Sequence, residues 1–155
     1  IPNGYILPVA KNVTNPTILL ESERFTQMVK HCRQRFGVVL IDTPPSQSDL
    51  IAAAVDASSL VVLVTTPGPL DLDRMWETAK AIDRPSSVLL TQTRANTVAL
   101  RDAERFLSDH GLARFDATIP FKEALRRSSE SGRMPSASGY GLVANELIEA
   151  FNGIE

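Results

Sequence analysis

Asp42 closes a run of four apolar residues, Val38-Val39-Leu40-Ile41, and is followed by Thr43-Pro44-Pro45. A carboxylate in that position suits a hard cation held directly or through water, because Mg²⁺ takes one or two carboxylates and keeps several waters. It equally suits the second acidic element of a nucleoside triphosphatase. A plainer alternative stays open on these residues alone, in which Asp42 only caps the following turn. His31 and His110 fall in different predicted helices without a carboxylate or cysteine at ligand spacing, so both read as surface or boundary residues. Cys32 fits an apolar helix face and reads as a small buried hydrophobe. Trp76 and Met75 read as packing residues, and Pro67-Gly68-Pro69 as a site edge, a subunit contact or a simple strand-to-helix turn.

The elements that must position Asp42 follow from hydrophobic pattern. Val38 to Ile41 is short, β-branched and free of polar alternation, which predicts a strand buried on both faces of a parallel sheet. The prolines after it stop both further pairing and an immediate helix. Ser59 to Thr66, Ser87 to Thr91 and Phe115 to Ile119 predict three more strands, the last ended by Pro120, and Tyr5 to Val9 a short one weakened by Pro8.

Between them come helices. One starts at Ser22, carries Phe25, Met28, Val29, Cys32 and Phe36 on one face, and ends at Gly37. A short one covers Leu50 to Val55, and another opens at Asp71 with Leu72, Met75, Trp76, Ala79 and Ile82 inward. A fourth has Leu100, Ala103 and Leu107 inward and stops at Gly111; a fifth starts at Phe121 and carries Arg126 and Arg127. A Gly-, Ser- and Pro-rich connection from Ser131 to Gly141 leads to the last, with Leu142, Val143, Leu147, Ile148 and Phe151 inward.

This alternation predicts an α/β fold with a mostly parallel sheet, helices on both faces and right-handed crossovers. The loops after the strands, Asp42-Thr43, Thr66-Pro67, Thr91 to Arg94 and Pro120, would then gather on one edge of the sheet, where open α/β sheets bind ligands. The 155 residues suit one domain, with 43% hydrophobic content to supply its core. A formal charge of −2 argues against a strongly basic nucleic-acid binder, and a single cysteine excludes an internal disulfide. A reducing, cytoplasmic setting is expected, and the apolar runs fall short of the roughly 20 residues that span a bilayer. The opening Ile1-Pro2-Asn3-Gly4 reads as the middle of a longer chain.

Taken in order, five blocks resemble the ParA/MinD family of deviant Walker-type ATPases, especially the small plasmid and chromosome partition proteins. They are Val38 to Pro45, Ala57 to Pro67, Val88 to Arg94, Thr118 to Phe121 and Ser131 to Pro135. The resemblance implies a P-loop NTPase-like fold, ATP or ADP and Mg²⁺ as cofactors, and an ATP-bound homodimer. Asp42 matches the aspartate that orients Mg²⁺ through water, and Thr43, Pro44 and Pro45 the start of the segment that senses the γ-phosphate. Thr91 to Arg94 match the stretch near the adenine, and Pro120 and Phe121 the loop over the base; Thr91 replaces the family's Asn, and the basic residue is displaced to Arg94.

Non-specific DNA binding is implied as well, with Lys122, Arg126, Arg127 and Arg133 as candidates, as are a centromere-binding ParB-like partner and a nucleoid-associated location without membrane contact. The bland reading of the basic residues is a solvated helix face. No glycine-rich loop with a lysine occurs: Gly37 precedes the predicted strand, and Gly139-Tyr140-Gly141 lacks both the lysine and the Ser/Thr. The chain is therefore expected to be the C-terminal part of one ATPase domain whose first βαβ unit lies upstream, inactive alone. A catalytically dead adaptor of the same fold is the alternative. A receiver-type signalling domain is disfavoured because Pro120-Phe121 stands where its lysine should be.

Overall fold

The computed structural model describes residues 23–43, 48–131, 135 and 138–152. The chain divides into two compact units, Ile1–Ser59 and Leu60–Glu155. In the first, the regular elements among the described residues are α1 (Glu23–Arg35) and α2 (Ser48–Asp56). Phe25, Val29 and Cys32, one helical face, are buried, whereas Met28 is exposed. Glu23 in the first turn of α1 and Arg33 and Arg35 in the last complement the helix dipole. Arg33 Nη2 also donates to Ser59 Oγ at 3.3 Å. Ser22, the expected cap of α1, and the expected strand Tyr5–Val9 lie outside the described residues.

The expected strand at Val38–Ile41 does not form: residues 38–43 carry no regular secondary structure. Val38 is 40% and Leu40 80% exposed. An apolar, β-branched run becomes a buried strand only if neighbours take its backbone N–H and C=O groups. Among the described residues this unit offers only helices, whose backbone groups are already paired.

The second unit holds the sheet. β1 (Val61–Thr65) pairs in parallel with β2 (Ser86–Leu90), in register from Val61 opposite Ser86 to Thr65 opposite Leu90. Around it lie α3 (Pro69–Lys80), α4 (Val98–Asp109), α5 (Glu123–Ser131) and α6 (Tyr140–Asn152). Pro67-Gly68-Pro69 is the strand-to-helix turn: Gly68 caps α3 and Pro69 occupies its first turn, where a missing N–H costs nothing, so the helix begins two residues before Asp71. Thr97 caps α4 by accepting from Leu100 N at 3.3 Å, and Gly111, at φ +65°, follows its C-terminal end in the left-handed region.

Side chains of β2 alternate between two cores. Val88 and Leu90 join Leu63, Leu72, Met75, Ala103 and Leu107 beneath α3 and α4. Leu89 joins Phe115, Ile119 and Val143 of α6 on the opposite face. Strand β2 is therefore covered on both faces, as a strand inside a parallel sheet requires. In α6 only Val143 of the expected inward residues is fully buried; Leu142 and Ile148 are exposed.

The expected fourth strand, Phe115–Ile119, is present only as two isolated parallel bridges, Val88 with Arg114 and Thr93 with Pro120. Phe115 N donates to Val88 O at 3.0 Å and Ile119 N to Leu90 O at 2.9 Å, so the segment runs beside β2. Its middle is diverted, because the N–H groups of Asp116 and Ala117 go to the Glu146 carboxylate of α6. The other edge of β1 has no strand partner among the described residues, and Val64 is 63% exposed there.

Leu107 has no exposed surface. Leu107→Ala should destabilise the protein by about 2–5 kcal/mol in chemical denaturation, whereas Leu142→Ala should change stability by less than about 1 kcal/mol.

Candidate functional site

Strand ends of the second unit are stitched together at one edge. Thr65 O, the last carbonyl of β1, accepts from Thr91 N at 2.8 Å and from Thr91 Oγ1 at 3.1 Å. Two residues on, Thr93 N donates to Ile119 O at 3.0 Å and Phe121 N to Thr93 O at 2.8 Å. This ladder carries Arg94 over the Phe121 ring, with the guanidinium carbon 5.0 Å from the ring centroid. Both side chains are exposed, so the pair presents a cationic and aromatic surface to solvent. Thr91, Arg94, Pro120 and Phe121, named from sequence, are thus brought together.

Thr93, which holds them there, was not singled out from sequence. It is buried, and its Oγ1 lies 3.1 Å from Thr118 Oγ1 and 3.3 Å from Ile119 O. With one proton on each hydroxyl, Thr93 can donate to the carbonyl while accepting from Thr118. Its alternation with Thr91 on the strand extension was the available signal. Gln92 between them takes φ +53°, a left-handed conformation that turns the chain out of the strand.

Beside this edge an open depression of about 480 Å³ is lined by Thr65, Thr66, Asp71, Arg74, Thr91 and Gln92 among others. Thr66 Oγ1 donates to Asp71 Oδ2 and accepts from Gly68 N at 3.3 Å, which fixes the turn between β1 and α3. Asp71 was read from sequence only as the start of a helix; its carboxylate also orders the loop five residues upstream.

Asp42 and Thr43 belong to the first unit. Asp42 is exposed, and among the described residues its carboxylate has no hydrogen-bond partner; Thr43 is half-buried. Pro44 and Pro45 lie outside the described residues. No group of three or more His, Cys, Asp or Glu side chains that could hold a metal occurs among the described residues.

Of the basic candidates, Lys122 and Arg127 are exposed, and Arg127 Nε lies 3.6 Å from Glu123 Oε1. Arg126 lies within α5, and Arg133 is outside the described residues. His110 is a packing residue at the end of α4: its ring stacks on Phe106 at 4.1 Å and meets Trp76 edge-on at 4.7 Å. Among the described residues no helix is long and apolar enough to cross a membrane.

Known proteins share part of this sequence. Over 103 residues the chain is 35% identical to the maintenance of carboxysome distribution protein A of Gloeobacter kilaueensis, an alignment covering 63% of this chain and 48% of that protein. Over 94 residues it is 29% identical to the tyrosine-protein kinase CpsD of Streptococcus agalactiae, covering 58% and 40% of the two chains. Over 84 residues it is 31% identical to the CpsD of Streptococcus pneumoniae, covering 52% and 37%. The two kinds of relative are both MinD/ParA-like deviant Walker ATPases. The chain is a distant homologue of the ParA/MinD ATPases. The matched stretch spans less than half the length of each of these relatives. No family model matches the chain. ParA/MinD homology agrees with the α/β architecture and with the parallel pairing of β1 and β2.

Thr93→Val keeps the shape of the buried side chain but leaves the Thr118 hydroxyl without its partner. It should cost about 1–3 kcal/mol in denaturation and broaden or shift the Phe121 ring resonances in NMR spectra.

Proposed function

We propose that the chain is the magnesium-side and base-side part of a Mg²⁺-dependent ATPase domain that positions or partitions cargo as an ATP-switched homodimer. The observation that carries this reading is the Arg94–Phe121 pair at the C-terminal edge of parallel strands, in a chain homologous to ParA/MinD ATPases. A guanidinium held over an aromatic ring offers cationic and π surface to a heterocyclic base. Thr91, Arg94, Pro120 and Phe121 are assigned to the base of ATP or ADP. Asp42 is assigned to Mg²⁺, and Thr43, Pro44 and Pro45 to sensing the γ-phosphate. Mg²⁺, when bound, would neutralise charge on the phosphates. Phosphate contacts would come from a loop that these 155 residues do not contain, on a strand pairing with the open edge of β1.

Exposed apolar side chains support the homodimer. Leu70, Val98, Tyr140 and Leu142 are exposed at the N-terminal ends of α3, α4 and α6, and exposed Phe121 lies just before α5. Exposed apolar side chains at helix N-terminal ends, which follow the strand-end loops, would suit a contact surface that closes over nucleotide. By its likeness to the carboxysome distribution protein, the reading extends to positioning of a cargo complex, with non-specific DNA as the track, a ParB-like partner as the trigger and a cytoplasmic, nucleoid-associated location. Lys122, Arg126, Arg127 and Arg133 are the DNA candidates, although Glu123 offsets part of the charge of Arg127.

Full-length protein should hydrolyse ATP with Mg²⁺, and the isolated 155-residue chain should not. Asp42→Ala in the full-length protein should lower turnover by about tenfold or more. Hydrolysis by the isolated chain would defeat the reading; a full-length protein that binds partners but never turns over ATP would make it an adaptor. Separately, reversing charge at Arg126 and Arg127 should weaken DNA binding and flatten its dependence on salt, with a slope smaller by about 1–2. Unchanged affinity and slope would remove this patch.

A further inference from the structure

Helix α6 touches the segment that carries Phe121 at two places. At its N-terminal end Gly139 sits at φ +87°, and a Cβ there would lie 2.8 Å from Thr118 O, 3.3 Å from Pro120 Cδ and 3.4 Å from Ile119 Cδ1. The conformation disfavours any L side chain, and the closest contact is to a backbone oxygen that cannot rotate away. Gly139 O in turn accepts from Leu142 N at 3.1 Å and Val143 N at 3.3 Å, so the close approach is tied to the first turn of the helix. Two turns further on, Glu146 Oε2 accepts from Asp116 N at 2.9 Å and Oε1 from Ala117 N at 2.7 Å. Hydrogen bonds from neutral donors to an ionised carboxylate are the stronger kind. Between these two anchors Val143 packs with Phe115 and Ile119 in the core.

We propose that Gly139 and Glu146 are positioning residues of the Arg94–Phe121 surface, and that through it they set how strongly a nucleotide base is held. Neither touches Arg94 or Phe121. They act by fixing Asp116–Pro120, whose last residues feed directly into the ladder of Thr93 N to Ile119 O and Phe121 N to Thr93 O. Glu146 takes the N–H of Ala117, the one that regular pairing after Phe115 would aim at Leu90 O, together with that of Asp116, so the chain bulges there and returns to β2 at Ile119 in the register that brings Phe121 under Arg94. Gly139 then fixes how closely that returning chain approaches α6. A larger residue at Gly139 moves the Thr118–Pro120 backbone and carries Phe121 with it.

The assignment of the ligand as a base rests on the nucleotide reading above, and the test separates the two. Proton shifts of the Arg94 side chain in the labelled, nucleotide-free full-length protein report its placement over Phe121, with Phe121→Ala as the reference without that contact. Gly139→Ala and Glu146→Gln should each move those shifts at least halfway to the reference, and Glu149→Gln, on the same helix, should leave them in place. Titration with ATP, and with inorganic tripolyphosphate as the probe that lacks a base, should perturb Arg94 and Phe121 for ATP alone. In the Gly139→Ala and Glu146→Gln variants the ATP dissociation constant should rise at least threefold. Wild-type shifts and wild-type affinity in Glu146→Gln would overturn the positioning role even if Gly139→Ala failed to fold. Displaced Arg94 shifts in the variants, with no ATP response at Arg94 or Phe121 in the wild type, would keep the positioning of the pair and overturn the base assignment.

Discussion

Strand β2 is hydrogen-bonded along both edges, and the second unit is built on that constraint. Val88, Leu89 and Leu90 are all buried, so every backbone donor and acceptor they carry needs a partner. β1 supplies one edge through its parallel register. The other is supplied by Ala113, Phe115 and Ile119. The two faces are filled just as strictly, by α3 and α4 on one side and α6 on the other. Once β2 is fixed in this way, the residues after it have one place to go, and Thr91 to Arg94 emerge beside the ends of both neighbours.

How much of this was legible depended on where the partners lie in sequence. β1, β2 and α3 to α6 were readable because each carries its own period or apolar run, and their ends moved by only a few residues. The run Val38–Ile41 has the same local character as β1, yet Val38 and Leu40 stay exposed and the run forms no regular strand. Its pattern reports which residues would be buried in a sheet, not whether a neighbour exists to bury them. The segment Phe115–Ile119 fails as a regular strand for a different reason. Glu146, about 30 positions away, competes for two of its N–H groups, and no local pattern announces a carboxylate that remote. Trp76 was readable as a packing residue and His110 as a surface or boundary one, but their edge-on contact was not.

The candidate site follows the same division. Thr91, Arg94, Pro120 and Phe121 could be named because they occupy the loops that a parallel sheet brings to one edge. Thr93 was missed: its hydroxyl and backbone serve contacts about 25 residues distant, so it looks ordinary in sequence. The site therefore consists of exposed groups that face solvent, Arg94 and Phe121, held by a buried group that faces the protein. In the proposed nucleotide reading, the exposed Arg94–Phe121 pair is the surface that a base would occupy.

The central claim is that a nucleotide base lies against the Thr91–Arg94 and Pro120–Phe121 loops. It is tested most directly by photolabelling the full-length protein with 8-azidoadenosine triphosphate in the presence of Mg²⁺ and mapping the adduct by mass spectrometry. The account predicts modification within residues 91–94 or 120–121, suppressed by excess ATP. Competable labelling confined to any other part of the second unit, such as the outer face of α4, would contradict it.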